Sequence, residues 1–267
     1  MAGSSAPILL KTKLHRPTLQ TDFVSRAHLV AKLQKGLDRK LALIVAPAGF
    51  GKSTLVASWL GLLDDANFSA DSIPLRTAWL SLDPQDDSLP RFLSYVVAAI
   101  HTAFAAACPS FERTIQSLPL PSVAYLADLL AAELGELAGK LVLAFDDFHQ
   151  LQNADVQQFI ERLLLNAPAT LHLVIVSRVD PPLPLSRLRV QNQINEIRAA
   201  DLRFSVEEAE LFFTRALPDA LPAELVRRLD ERAEGWVAGL RLAAISLRDC
   251  PSPQTLVAEF DGTKRHV

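Results

Sequence analysis

The sequence is poor in several features that would point to particular classes of protein. It has only two cysteines, Cys108 and Cys250, in 267 residues, and their spacing fits no metal site, redox motif or disulfide framework. We expect both to be small buried hydrophobic residues. The formal net charge is −3, whereas a segment that grips nucleic acid by itself is normally basic. Neither cysteine chemistry nor DNA binding through a basic surface is therefore expected.

Long hydrophobic runs are also missing. The most apolar helical stretch, FLSYVVAAIHTAFAAA (92–107), is too short to span a membrane and contains His101. The N-terminal MAGSSAPILLKTKLHRP has no continuous apolar core of signal-peptide length. We therefore expect a cytoplasmic protein with no membrane partner.

What the sequence does contain is an ordinary globular composition, with 49% hydrophobic and 21% charged residues, in which strand patterns alternate with helix patterns. Helices separating the strands favour right-handed crossovers and an α/β fold with a mostly parallel sheet. Strands are predicted over 41–46, 77–82, 140–147, 171–178 and, at a sheet edge, 192–199. Helices are predicted over about 52–62, 89–107, 122–138 and through ADVQQFIERLLLN (154–166), and a polar loop over 63–76.

After Ala200 only helical patterns follow. Ser205 and Glu208 form a capping box at the first of them, because they are three residues apart at the start of an amphipathic run. We therefore predict two domains, an α/β domain over 1–203 and a small all-α domain over 204–267. The final FDGTKRHV does not resemble the end of a packed element, and we expect the chain to be part of something longer.

The most informative motif follows the first strand and reads APAGFGKST (46–54). A phosphate loop has the pattern Gly, four residues, Gly-Lys-Ser/Thr, and here Ala46 occupies the first position. Ala can stand there if its φ is negative, because that position lies at the end of the strand, whereas Gly49 and Gly51 supply the φ > 0 that only glycine adopts readily. The strand before the loop and the helix after it are the context that such a site requires.

The expected roles follow from the chemistry of the loop. Its backbone N–H groups and the helix N-terminus would bind phosphates, Lys52 would bridge the β- and γ-phosphates, and the Ser53 hydroxyl would ligate Mg²⁺. Thr54 completes the run, although a helix residue at this position is more simply interpreted as pointing into the core. The predicted nucleotide-binding residues of the loop are Ala48, Gly49, Phe50, Gly51, Lys52, Ser53 and Thr54.

A second motif, LVLAFDDFHQ (141–150), places acids at the C-terminal end of a buried strand, where ligands bind in open α/β sheets. Asp146 would hold Mg²⁺, directly or through a water, and Asp147 would face the γ-phosphate and polarise the attacking water. Arg178, at the tip of the next strand, would sense the γ-phosphate, or else is a solvated loop arginine. The strand at 77–82 lies between the two motifs in sequence, which permits an inserted central strand as in additional-strand ATPases. His149 is interpreted as a helix-start residue.

These motifs together resemble the MalT-like, LuxR-type transcriptional activators of the STAND class of signalling ATPases. The resemblance covers nearly the whole chain, although Asp87 stands where asparagine is usual in that family. The matching segments are TKLHRP (12–17), FVSRAHLVAKL (23–33), APAGFGKSTL (46–55), WLSLDPQDDSLPRFLSYVVAAI (79–100), AFDDFHQL (144–151), LVIVSRVDPPLPLSRLR (173–189), IRAADLRFSVEEAELFF (197–213) and GWVAGLRLAAISL (235–247).

The resemblance implies that residues 1–40 are a leading segment with an adenine loop, in which Val24, Ser25 and Arg26 bind the nucleotide. It also implies a switch that is closed with ADP and self-associates with ATP, and DNA binding through a C-terminal domain outside this chain. Asp147 replaces the usual glutamate of a fast ATPase, which predicts slow hydrolysis. The alternatives are a P-loop small-molecule kinase or another P-loop ATPase, and a structural relic of the fold.

Overall fold

The computed structural model describes residues 9–66, 74–117, 119–248 and 253–260. Residues 67–73 of the predicted loop, Cys250 and nearly all of the C-terminal FDGTKRHV lie outside them. The strands are β1 (Leu41–Val45), β2 (Leu75–Ser81), β3 (Lys140–Asp146), β4 (Leu171–Ser177) and β5 (Ile194–Arg198). The helices are α1 (Ala27–Gln34), α2 (Lys52–Ala66), α3 (Leu89–Ala103), α4 (Pro109–Ile115), α5 (Val123–Gly135), α6 (Ala154–Leu165), α7 (Leu185–Val190), α8 (Ala199–Leu202), α9 (Val206–Ala216), α10 (Ala223–Ala233), α11 (Val237–Arg248) and α12 (Pro253–Glu259).

The five strands form one sheet in the order β2-β3-β4-β1-β5, and every neighbouring pair is parallel. β1, β3 and β4 are buried at nearly every position because helices cover both faces of the sheet. The strand inserted between β1 and β3 is β4, whereas β2, which lies between the two motifs in sequence, is at the far edge. The predicted additional-strand α/β fold is confirmed.

One predicted helix ends earlier than expected, and a short helix that was not predicted follows it. The helix over 89–107 ends at Ala103 as α3, and the short helix α4 begins at Pro109. The helix ends because Phe104 is extended (φ −128°, ψ 96°), and Ala106 and Cys108 between the two helices are left-handed, with φ values of 58° and 57°. Cys108 is buried, as expected.

The described residues after Phe204 lie mostly in helices, and we call residues 204–248 and 253–260 the helical segment. Its first helix, α9, carries the predicted capping box: the Glu208 backbone N–H donates to Ser205 Oγ (3.2 Å) and the Ser205 N–H donates to the Glu208 carboxylate (3.0 Å). Apolar side chains of α9 to α12 share one cluster, separate from the two clusters on the faces of the sheet. Within the described part of the chain, none of the helices combines the length and apolarity needed to cross a membrane.

Candidate functional site

The phosphate loop (residues 46–53) follows β1 at the C-terminal edge of the sheet. Gly49 and Gly51 have φ values of 81° and 73°, a region that L-residues with a side chain rarely adopt. Ala46 is buried and is not among the positive-φ residues, and its N–H continues the strand by donating to the Ser177 carbonyl (3.3 Å). The backbone therefore requires glycine at 49 and 51 but accepts alanine at 46.

The two predicted metal ligands lie side by side. The Ser53 hydroxyl, in the first turn of α2, donates to Asp146 Oδ1 at the end of β3 (2.9 Å). Asp146 is 7% exposed, and burial raises its pKa to about 6, against the opposing effect of the hydrogen bond from Ser53. A hydroxyl and a carboxylate oxygen are donors that suit Mg²⁺, so these residues fit such an ion.

Lys52 lies beside this pair and folds back on its own loop, because its Nζ donates to the Pro47 carbonyl (2.8 Å). Burial lowers the pKa of Lys52, the carboxylates of Asp147 and Asp146 oppose this effect, and the charge of Arg178 lowers the pKa further. The four charged side chains are thus close enough to influence one another at one edge of the sheet.

Asp147 has a left-handed backbone, with φ 55°, and its N–H donates to Asp146 Oδ1 (3.0 Å). Its carboxylate is 45% exposed, and Oδ1 lies 3.8 Å from Nδ1 of His149. His149 is in a short 3₁₀ helix, and burial lowers its pKa. Arg178 is exposed and has no ion-pair partner within the described part of the chain. The predicted catalytic pair therefore borders the loop from the side of β3 and β4.

A mostly apolar cavity, the loop cavity, opens beside Gly51. A Cβ added at Gly51 would meet no atom within 4 Å outside its two chain neighbours. Thr54 is exposed and faces this cavity, so the expectation that it points into the core is wrong. The lining residues are Thr18, Gln20, Asp22, Phe23, Val24, Arg26, Phe50, Gly51, Thr54, Leu55, Phe204, Phe212, Val237 and Arg241.

The three residues of the predicted adenine loop are placed differently from one another. Val24 is buried in the wall of the loop cavity, whereas Ser25 is exposed and faces another groove, against α2. Arg26 is buried, and its guanidinium donates to the carbonyls of Leu202 (2.8 Å) and Arg203 (2.7 Å). It also pairs with the Glu208 carboxylate (2.9 Å). Arg26 thus ties the leading segment to the start of the helical segment.

Sequence reasoning missed the residues that the helical segment brings to the loop. Trp236 and Ala238 hydrogen-bond to it, and Arg241 pairs with Asp22 across the cavity (3.0 Å). No spacing rule could have found them, because they lie nearly 200 residues from the loop and meet it only through folding. The one available signal was the segment GWVAGLRL. The family resemblance includes this segment but assigns no role to its residues.

An all-parallel sheet in this order, with a phosphate loop after β1 and an acidic tip on β3, defines a P-loop nucleotide-binding protein of the additional-strand type. The chain belongs to the AAA ATPase domain family, whose sequence model matches residues 22–176.

Curated relatives confirm the resemblance to MalT-like regulators. The HTH-type transcriptional regulator MalT of Yersinia enterocolitica is 36% identical over 241 residues, which is 90% of this chain and 26% of the relative. MalT of Yersinia pestis is 34% identical over the same share. The chain thus spans about a quarter of the length of these relatives.

Among solved structures, a STAND protein with a tetratricopeptide-repeat sensor from Pyrococcus horikoshii matches 96% of this chain and 34% of its own, with a TM-score of 0.56 and 14% identity. At this identity the likeness concerns the fold alone.

Proposed function

We propose that the chain is the ATP/ADP-binding switch module of a MalT-type transcriptional regulator, which holds its nucleotide together with Mg²⁺. The observation that carries the proposal is the 2.9 Å hydrogen bond between Ser53 and Asp146, which joins the loop motif to the acidic motif. Family membership and the similarity to MalT support the regulator assignment.

The roles of the residues follow from their positions. Backbone N–H groups of residues 48–54 and Lys52 bind the phosphates, and Ser53 and Asp146 hold the metal. Bound Mg²⁺ neutralises charge on the phosphate oxygens. The loop cavity takes the base, with Val24 in its wall. Arg178, exposed at the tip of β4, is the sensor of the terminal phosphate.

Hydrolysis is slow in this proposal. The carboxylate of Asp147 is one methylene shorter than that of glutamate, so it lies farther from a water poised on the γ-phosphate. A misplacement of about 1 Å can cost on the order of 10²-fold in rate. Slow turnover suits a switch that must retain ATP while it assembles.

The test is single-turnover ATP hydrolysis beside a binding titration. Asp147→Ala is expected to keep nucleotide affinity and lose what hydrolysis remains, because its carboxylate only polarises water. Asp146→Ala is expected to weaken Mg²⁺-dependent binding as well. If Asp147→Ala hydrolyses ATP at the parent rate, Asp147 is not the base. The explanation of slow hydrolysis by the short Asp147 side chain would then be wrong.

The wider role of the parent protein is also part of the proposal. Residues 1–203 form the nucleotide-binding domain and residues 204–267 a helical domain, supported by the separate apolar cluster of α9 to α12. The full-length protein self-associates with ATP and binds DNA through other parts. Sedimentation of the full-length parent with ATP and with ADP tests the first statement, and equal sizes would contradict it. Sequence-selective retention of DNA by this chain at physiological salt would contradict the second.

A further inference from the structure

The turn that precedes α11 contacts the back of the phosphate loop. The Trp236 indole Nε1–H donates to the Ala48 carbonyl (3.0 Å), and the Ala238 backbone N–H donates to the Gly49 carbonyl (3.0 Å). Two successive carbonyls of the loop are therefore held by residues of the helical segment.

The contact is closely packed. Trp236 is 5% exposed. It belongs to the apolar cluster on the face of the sheet that includes Ala42 and Ile44 of β1, and not to the apolar cluster of the helical segment. A Cβ added at Gly49 would lie 2.5 Å from the Ala238 side chain and 2.6 Å from Trp236 Nε1. Behind the contact, the Gly235 carbonyl accepts from the Phe204 N–H (2.9 Å). The turn thus connects the start of the helical segment with the loop.

The geometry of the peptide bond gives this contact a consequence for anion binding. A peptide unit is planar and trans, so its carbonyl and the next residue's N–H point in opposite directions. A donor that fixes the Ala48 carbonyl also fixes the direction of the Gly49 N–H, and a donor on the Gly49 carbonyl fixes the Phe50 N–H. These N–H groups belong to the set that binds phosphate in such loops.

We propose that Trp236 and Ala238 are positioning residues that hold the phosphate loop in its anion-binding shape from behind. The inference rests on the proposed nucleotide binding and assigns a role in it to the helical segment. Movement of that segment away from the loop would release both carbonyls and weaken the hold on phosphate, whereas loss of the Trp236 hydrogen bond alone leaves the walls of the loop cavity in place.

The test compares Trp236→Phe with Trp79→Phe. Trp79 is the matched control, because it is 3% exposed and its indole donates to Ser81 Oγ (2.8 Å) on the far edge strand. Affinities for Mg·ADP and for adenosine are measured by calorimetry on nucleotide-free protein. Loss of one hydrogen bond is expected to weaken Mg·ADP binding about 3- to 10-fold in Trp236→Phe and to leave adenosine binding unchanged. Trp79→Phe should alter neither affinity.

Tryptophan fluorescence supplies a readout besides affinity. The wild type and Trp79→Phe should change emission when Mg·ADP binds, and Trp236→Phe should lose that change. If Trp236→Phe does not fold, Ala238→Pro removes the second donor at a first-turn helix position that tolerates proline, and the same selective loss of Mg·ADP affinity is expected.

The possible results distinguish failure of nucleotide binding from failure of the positioning role. Wild-type protein that binds no nucleotide contradicts the proposed function. Wild-type binding with unchanged Mg·ADP affinity and emission change in Trp236→Phe overturns the positioning role alone. Equal weakening of Mg·ADP and adenosine also overturns it, because the indole would then support the cavity and not the loop.

Discussion

At the scale of single residues, the sheet buries two titratable side chains that respond to pH in opposite directions. His172 on β4 is fully buried and its Nδ1 donates to the Arg39 carbonyl (2.7 Å), while burial lowers its pKa to about 4. The unfolded chain takes up a proton near pH 6.5, so this contribution to stability is present above that pH and is lost as the pH falls toward 4. The pKa of Asp146, raised by burial to about 6, has the reverse effect, because the folded state keeps its proton at higher pH than the unfolded state.

The contribution of His172 to the pH dependence of stability can be measured by comparing the wild type with His172→Leu. Between about pH 7 and about pH 5, His172 is expected to lower the free energy of unfolding of the wild type by roughly 2 kcal/mol. His172→Leu should lack this component while it keeps that of Asp146. Urea unfolding at the two pH values measures the difference, and an identical pH dependence in both proteins would show that His172 is not held neutral.

The sequence could predict the loop residues because their roles depend on local spacing. Lys52 and Ser53 stand at a helix start after a strand, and Asp146 at a strand end, and both positions follow from the pattern. The direction of Thr54 did not follow, since it depends on how the helical segment packs beside α2. Arg26 was matched to a motif, but its actual hydrogen-bond partners lie near residue 203.

At the scale of secondary-structure elements, all five strands could be predicted from the sequence. Which strand lies between β1 and β3 in the sheet could not. Strand type follows from apolar runs, whereas strand order depends on non-local pairing. Here β4 pairs with both β1 and β3. The short helix α4 was missed because its seven residues, PSFERTI, are too few to show a helical apolar period.

The tie between the leading segment and α9 gives a prediction at this scale. Arg26→Ala is expected to lower the free energy of unfolding of the nucleotide-free protein by about 3 kcal/mol, because it removes the buried cation that pairs with Glu208 and donates to the carbonyls of residues 201–203. Arg227→Ala is the control, since its pair with Glu224 on α10 is mostly exposed and such pairs contribute little. Denaturant unfolding of the wild type and of both variants measures these free energies. An Arg26→Ala protein as stable as the wild type, but defective in nucleotide binding, would make Arg26 a nucleotide ligand instead.

At the scale of the whole molecule, the sheet and the helical segment interlock around the loop cavity. Val24 of the leading segment packs in the cluster of the helical segment, and Trp236 of the helical segment packs in a cluster of the sheet. The cavity wall likewise combines residues of the leading segment, the phosphate loop, α9 and α11. A ligand there would touch every part whose relative position a switch must control.

The central claim, that this site binds a nucleotide, is tested most directly by the melting of nucleotide-free protein with and without saturating Mg·ADP. A ligand at about 100 times its Kd adds about 2.7 kcal/mol, which for a chain of this length raises the melting temperature by roughly 5–10 °C. Lys52→Ala should remove most of that rise, because it deletes the cation of the loop. The account predicts the rise in the wild type and its loss in the variant; an unchanged wild-type melting curve would contradict it.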